Sequence, residues 1–193
     1  MSFRKRDSEV KEAIIDEFIR QFNQFGIKVN LDTISTNLHI SKKTIYKFFP
    51  SKETIYEEIL QEASDDVLSQ QIFIYNDATL NTHQKICKLL TIPTKREKEI
   101  DMARIPELKA SEPVFYQKLM DAYERQWDYF LTLLEEGKKD GSVPEDINPT
   151  FLVGIISGAM KSFYKKDFLR KSGYTYTEAV QALSRVILNG FFG

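Results

Sequence analysis

Between Leu31 and Phe49 apolar residues recur at helical spacing in two short runs with a three-residue turn between them, and that pattern constrains the fold more than any other feature. Leu31, Ile34 and Leu38 share the inward face of one short helix, and Ile45, Phe48 and Phe49 share that of the next. Asn30 and Ser41 stand where N-caps belong. Two short helices joined this way read as a helix-turn-helix. With Ile45 and Phe48 inward, Lys42, Lys43, Thr44, Tyr46 and Lys47 fall on the outer and N-terminal parts of the second helix. A helix of this width fits the major groove of DNA, and its first turn is the part that meets base edges. Three lysines and two hydroxyls suit guanine edges, thymine methyls and phosphates.

Charge follows the same division. Residues 1–50 carry nine Lys or Arg against six Asp or Glu, a balance of +3, so the other 143 residues carry −4 of the total of −1. A mildly basic head on an acidic body suits a chain with a DNA-binding end and an end that does not touch DNA. Arg4, Lys5 and Arg6 either form a flexible arm for the minor groove or solubilise the terminus.

The rest of the chain reads as helices. Eight Gly and six Pro are few for 193 residues and argue against a turn-rich β fold. An amphipathic stripe over 7–25 (Val10, Ala13, Ile14, Phe18, Ile19, Phe22, Phe25) ends at Gly26. Beyond the helix-turn-helix, Ser51 caps a helix from Lys52 to about Phe73. Others are expected at Thr82–Leu90, closed by Pro93, and at 97–108, Glu112–Lys139, Pro149–Leu169 and Tyr176–Phe191, about nine in all. The run from Gly137 to Pro144 is the clearest loop.

At the motif the chain resembles the TetR (tetracycline-repressor-like, TetR/AcrR) regulators. The resemblance rests on Ile14, Phe18, Phe22, Gly26 and Ile34, and then on Ser41-Lys42-Lys43-Thr44-Ile45-Tyr46-Lys47-Phe48-Phe49-Pro50-Ser51-Lys52-Glu53. It is close over about residues 8–60. It implies an all-α fold with an N-terminal three-helix helix-turn-helix DNA-binding domain (1–50) and a larger helical ligand-binding and dimerisation domain (51–193). The helix from Lys52 connects the two. It also implies that Lys42, Lys43, Thr44 and Lys47 approach bases and nearby phosphates, that Tyr46 and Lys52 clamp phosphates, and that Thr33 is a further phosphate contact. His39 stands where the family often has Gly, so it must accept a turn conformation that Gly tolerates better. The last two helices are implied to build a dimer's four-helix bundle, and the middle helices to enclose a ligand pocket.

Residue types support the last two points. Gly154, Ser157, Gly158 and Ala159 cluster on one helix, although Gly costs about 1 kcal/mol relative to Ala in a helix interior. Ala182, Val186 and Gly190 answer them on the last helix, and a symmetric helix–helix interface would explain both sets. Cys87, Phe115, Tyr123, Trp127 and Phe130 are the candidate pocket residues, against the ordinary alternative that such residues are core. The lone Cys87 cannot pair within the chain, and a structural thiol is favoured over a redox sensor. His39 and His83 lack ligand partners at metal spacing, and no nucleophile elbow, phosphate loop or dinucleotide fingerprint appears. No metal, no cofactor and no enzymatic activity are therefore expected. No apolar run resembles a signal peptide or a membrane span, so a cytoplasmic location is expected. The expected partners are an operator in double-stranded DNA, a second copy of the chain and an unknown small-molecule effector. Repression is the first reading. The alternative is an activator, or a DNA-binding protein without small-ligand input.

Overall fold

The computed structural model describes residues 3–92, 96 and 99–192. Among them all regular structure is helical: α1 (Phe3–Phe25), α2 (Leu31–Asn37), α3 (Lys42–Phe48), α4 (Lys52–Asn76), α5 (Thr82–Leu89), α6 (Ile105–Ser111), α7 (Pro113–Arg125), α8 (Asp128–Asp140), α9 (Pro149–Phe163), α10 (Lys166–Ser172) and α11 (Tyr176–Phe192). Caps fix several starts. Asn30, Ser41, Asn81 and Asn148 each accept a backbone N–H of the helix that follows.

Five expectations are corrected, the first being the loop expected from Gly137 to Pro144, of which Gly137 to Asp140 lie in α8. Helix α1 begins at Phe3, so the backbone through Arg4, Lys5 and Arg6 is helical and forms no extended arm. The helix expected over Glu112–Lys139 is two. At Gln126 and Trp127 the chain turns, the Trp127 N–H donating to the Glu124 carbonyl at 3.3 Å. The carbonyl of Gln126, released from the helix ladder, accepts Nε2 of buried Gln71 at 2.6 Å. The segment Pro149–Leu169 is likewise divided, with Phe163 of α9 packed on Phe168 of α10 and on Tyr176 across the break. Where a helix was expected over 97–108, a 3-10 turn at Met102–Arg104 leads into α6. Pro93 and the start of that expected helix lie outside the described residues.

Burial of the apolar faces builds two cores. The first gathers Ile14, Ile15, Phe18, Ile19 and Phe22 of α1, Ile34 of α2, Ile45 of α3, Phe49, and Ile55, Tyr56 and Ile59 of α4. It extends well past residue 50, because Ile105 and Leu108 of α6 and Phe115 of α7 complete it. The second joins Ile86, Leu89 and Leu90 near α5, Trp127, Phe130, Leu133 and Leu134 of the α8 region, and Leu152 and Ile156 of α9. Helices α4 and α7 take part in both: Ile74 and Tyr75 at the far end of α4, and Tyr123 of α7, pack on the second core. At 25 residues α4 is about 37 Å long, and it forms the long strut between the cores.

Candidate functional site

The turn of the helix-turn-helix is built around His39. Its φ of 53° makes it the one non-glycine residue in the left-handed region among the described residues. Around it the His39 N–H donates to the Thr36 carbonyl at 3.2 Å and the Ile40 N–H to the Ser35 carbonyl at 3.0 Å. These are the two bonds of a Schellman motif, which normally carries Gly at this place. The motif reverses the chain so that Ile40 packs on the first core. Ser41 then caps α3, its Oγ accepting the Thr44 N–H at 3.1 Å and lying 2.8 Å from Thr44 Oγ1.

Buried Ile45 and Phe49 anchor α3, with Phe48 half-buried beside them. Lys42, Lys43, Tyr46 and Lys47 are exposed on its outer side, Tyr46 at 51% of its full area. Two of the lysines have carboxylate partners. Lys42 Nζ lies 2.6 Å from Asp32, and Lys47 Nζ lies 2.9 Å from Asp7 and over the Phe48 ring. All four charged groups stay largely solvated, and exposed pairs of this kind contribute about 0–1 kcal/mol. A polyanion can displace such carboxylates. Lys43 has no ion-pair partner among the described residues. Thr33 is exposed on α2, and Thr44 is half-buried, its hydroxyl occupied in the cap.

Lys52 departs from the phosphate-clamp expectation. Its ammonium lies 3.0 Å from Glu112, 3.4 Å from the Ile27 carbonyl and over the Tyr56 ring, so it ties α4 to the chain on either side.

Between the two cores lies a cavity of about 450 Å³, open to solvent on one side, walled by the middle of α4 (Leu60, Ala63, Val67, Gln71) and by residues from the α5 end, α7, α8, α9 and α11. Tyr123, Trp127 and Phe130 line it. Cys87 and Phe115 do not. Phe115 stacks on Tyr56 at 5.1 Å inside the first core, and Cys87 Sγ faces His83 Nε2 at 3.4 Å, where burial pushes its thiol above the usual range. The lining also includes Met102, Met160, Tyr164 and Tyr176, which periodicity does not single out because each comes from a different element.

Residues 14–59 match the family model described as bacterial regulatory proteins, tetR family. The helix-turn-helix segment of this chain is of the TetR type. The likeness extends beyond the matched segment. An uncharacterized HTH-type transcriptional regulator of Bacillus subtilis (strain 168), YvaF, is 24% identical over 93% of this chain and 94% of its own length. A TetR family transcriptional regulator from Thermus thermophilus, PfmR, shares the fold with a TM-score of 0.71 at 17% identity, over 91% of this chain and 97% of its own. A transcriptional regulator from Saccharomonospora viridis, solved with choline, shares it with a TM-score of 0.74 at 21% identity, over 96% of this chain and 99% of its own.

Two arginines tie the helices of this TetR-type segment to the elements that wall the cavity. Met102, which lines the cavity, shares its 3-10 turn with Arg104. Arg104 donates to the carbonyls of Asn23 and Gln24 at the end of α1, at 3.2 and 3.1 Å, and pairs with Glu107 at 3.1 Å. Glu107 sits so close to Gly26 that a Cβ there would meet its Oε2 at 2.0 Å. The buried Arg96 pairs with Glu12 and Asp16 of α1, Glu62 of α4 and Glu99, all within 3.0 Å. Sequence reasoning missed Arg96, which stands in the run Lys95-Arg96-Glu97-Lys98 and reads there as solvated charge.

The candidate dimer residues lie on neighbouring helices. Gly154 and Gly158 of α9 and Val186 and Gly190 of α11 are exposed, with Ser157 and Ala182 half-buried beside them. A Cβ at Gly154, Gly158 or Gly190 would meet nothing within 4 Å, so packing inside the chain does not account for these glycines.

Proposed function

We propose that the chain is a repressor that binds a palindromic operator as a homodimer and releases it when a small molecule occupies the cavity. In this reading residues 1–50 are the DNA-binding part and 51–193 sense and dimerise, with α4 joining them. Each copy lays α3 in the major groove. Lys42, Lys43, Tyr46 and Lys47 meet bases and phosphates, with Thr33 and the cap residue Thr44 at the edge of the contact. The observation that carries it is the outer side of α3: a lysine-rich, solvent-facing surface on a helix locked from behind by Ile45 and Phe49.

Dimerisation is supported by the open α9–α11 face, where Phe151 and Val186 remain 70% and 72% exposed. Two-fold pairing would set two α3 helices about 34 Å apart, or at a modest multiple, matching successive major grooves. Release is supported by the position of the cavity. A ligand touching Met102 and the middle of α4 acts on the turn that holds the end of α1 through Arg104. It can lower DNA affinity only by the difference in its own affinity for the two arrangements.

The decisive test is selection of bound fragments from random DNA with the full chain. A palindromic consensus with half-sites one or two helical turns apart is expected. Lys47→Ala should relax the selected sequence, and Lys43→Ala should reduce the slope of affinity against salt by about one. Wild-type affinity and specificity in both variants would refute the placement of α3.

A further inference from the structure

Tyr123 and Trp127 give the cavity a chemical preference. Their rings meet edge to face at 6.1 Å, and both line the cavity. The Tyr123 hydroxyl and the Trp127 indole Nε1 are buried and have no hydrogen-bond partner among the described residues. The indole N–H can only donate, and burial keeps the Tyr123 phenol protonated by pushing it far above its ordinary range. Two donors held away from water without acceptors cost about 1–3 kcal/mol each. Both atoms are sealed from water, so an occupant that offers acceptors recovers this once a small rotation of either ring turns the donor toward it, and an occupant that offers none leaves it in place.

The remaining lining sets the rest of the preference. Leu60, Ala63, Val67, Leu89, Leu90 and Met160 are apolar. The charged side chains that reach the cavity, Arg125 and Asp128, are opposite in sign and exposed. Nearby Lys161 lies over the Tyr123 ring at 6.0 Å but faces Glu124 at 3.7 Å. Among the described residues no ionised group is buried in the wall to neutralise a charged ligand, and burying an unpaired charge is far costlier than burying a carbonyl.

We infer that the cavity takes an uncharged, largely apolar molecule bearing a hydrogen-bond acceptor such as a ketone or ester carbonyl, received by the Tyr123 hydroxyl and the Trp127 indole N–H. This rests on the reading of the cavity as the effector site and narrows it to a ligand class. The aromatic walls also suit the face of a quaternary ammonium, but ring faces leave both donors unmet.

Thermal unfolding of the full chain without DNA tests the class. The probes are a medium-chain methyl ketone, the alkane, the fatty acid and the alkyltrimethylammonium ion of matched length. The ketone should bind tightest. Tyr123→Phe should leave the free protein as stable as wild type or slightly more so, because it removes an unmet donor. It should weaken the ketone about three- to tenfold and leave the alkane unchanged. Trp127→Phe should weaken the ketone similarly. Tighter binding of either ion, undiminished ketone binding in both variants, or binding of none of the four probes overturns the inference. Operator affinity measured separately with saturating ketone tests the effector reading. If the ketone binds as described and DNA affinity does not change, release by ligand fails while the ligand class stands.

Discussion

His39 carries the clearest local conflict in the chain. A side chain at φ 53° places Cβ against the following carbonyl, which costs an L-residue roughly 1–2 kcal/mol, while the two Schellman bonds and the burial of Ile34 and Ile45 hold it there. Glycine removes that strain but adds freedom to the unfolded chain. His39→Gly should therefore raise stability by about 0.5–1 kcal/mol net, a rise of roughly 1–4 °C in the calorimetric midpoint. An unchanged or lower midpoint would mean that the imidazole contributes more than its backbone costs. Glu17 is the electrostatic counterpart. The Arg20 guanidinium, followed by Asn37 of α2 and Gln21, holds its carboxyl down at about 2 against the ordinary 4.5. A carboxyl lowered on folding stabilises the fold in full above pH 4.5, and that contribution is lost as pH falls from 4.5 toward 2. Glu17→Gln should lower stability at neutral pH by on the order of 1 kcal/mol after solvent screening, with the gap to wild type closing on acidification. Paired urea titrations at neutral and acidic pH check it. The strained turn was legible from one residue, because only backbone sterics decide it. The depressed carboxyl was legible only in part: Arg20 and Gln21 lie one turn along α1, whereas the Asn37 contact needs α2 brought against α1.

Helix breaks show how far periodicity reaches. The stripe Phe115, Leu119, Tyr123, Trp127, Phe130, Leu134 runs through the turn at Gln126 without interruption, and neither Pro nor Gly marks the place. What permits the break is Gln71, 55 residues earlier, whose amide satisfies the freed carbonyl. Arg96 works at the same scale, drawing α1 and α4 together through carboxylates that would otherwise repel. Replacing Arg96 with Met leaves Glu12, Asp16, Glu62 and Glu99 converging without a cation. The expected loss is about 3 kcal/mol at low ionic strength, and smaller in high salt, where the partly exposed carboxylates are screened. Chemical denaturation at two salt concentrations measures it. A loss independent of salt would assign Arg96 a packing role instead.

For the whole molecule, the proposed interface on the exposed face of α9 and α11 allows assembly to be tested apart from folding. Val186 is 72% exposed in the single chain, so Val186→Lys should leave helix content and the unfolding of the monomer nearly unchanged. In a two-fold interface the same change sets two like charges against each other, and sedimentation should show the dimer lost along with high-affinity operator binding. A Val186→Lys protein that sediments as wild type would move the interface elsewhere.

The amino-acid sequence alone determined the all-helical class, the places of α1 to α5, the inward residues of the helix-turn-helix and the polarity of α3. These follow from periodicity, caps and turn sterics, which act over a few residues and so can be read along the chain. The cavity, the α7–α8 break, the inward turn of Lys52 and the Arg96 cluster were decided only in three dimensions. Each depends on partners tens of residues apart, and what a side chain meets at that distance is set by how whole helices pack.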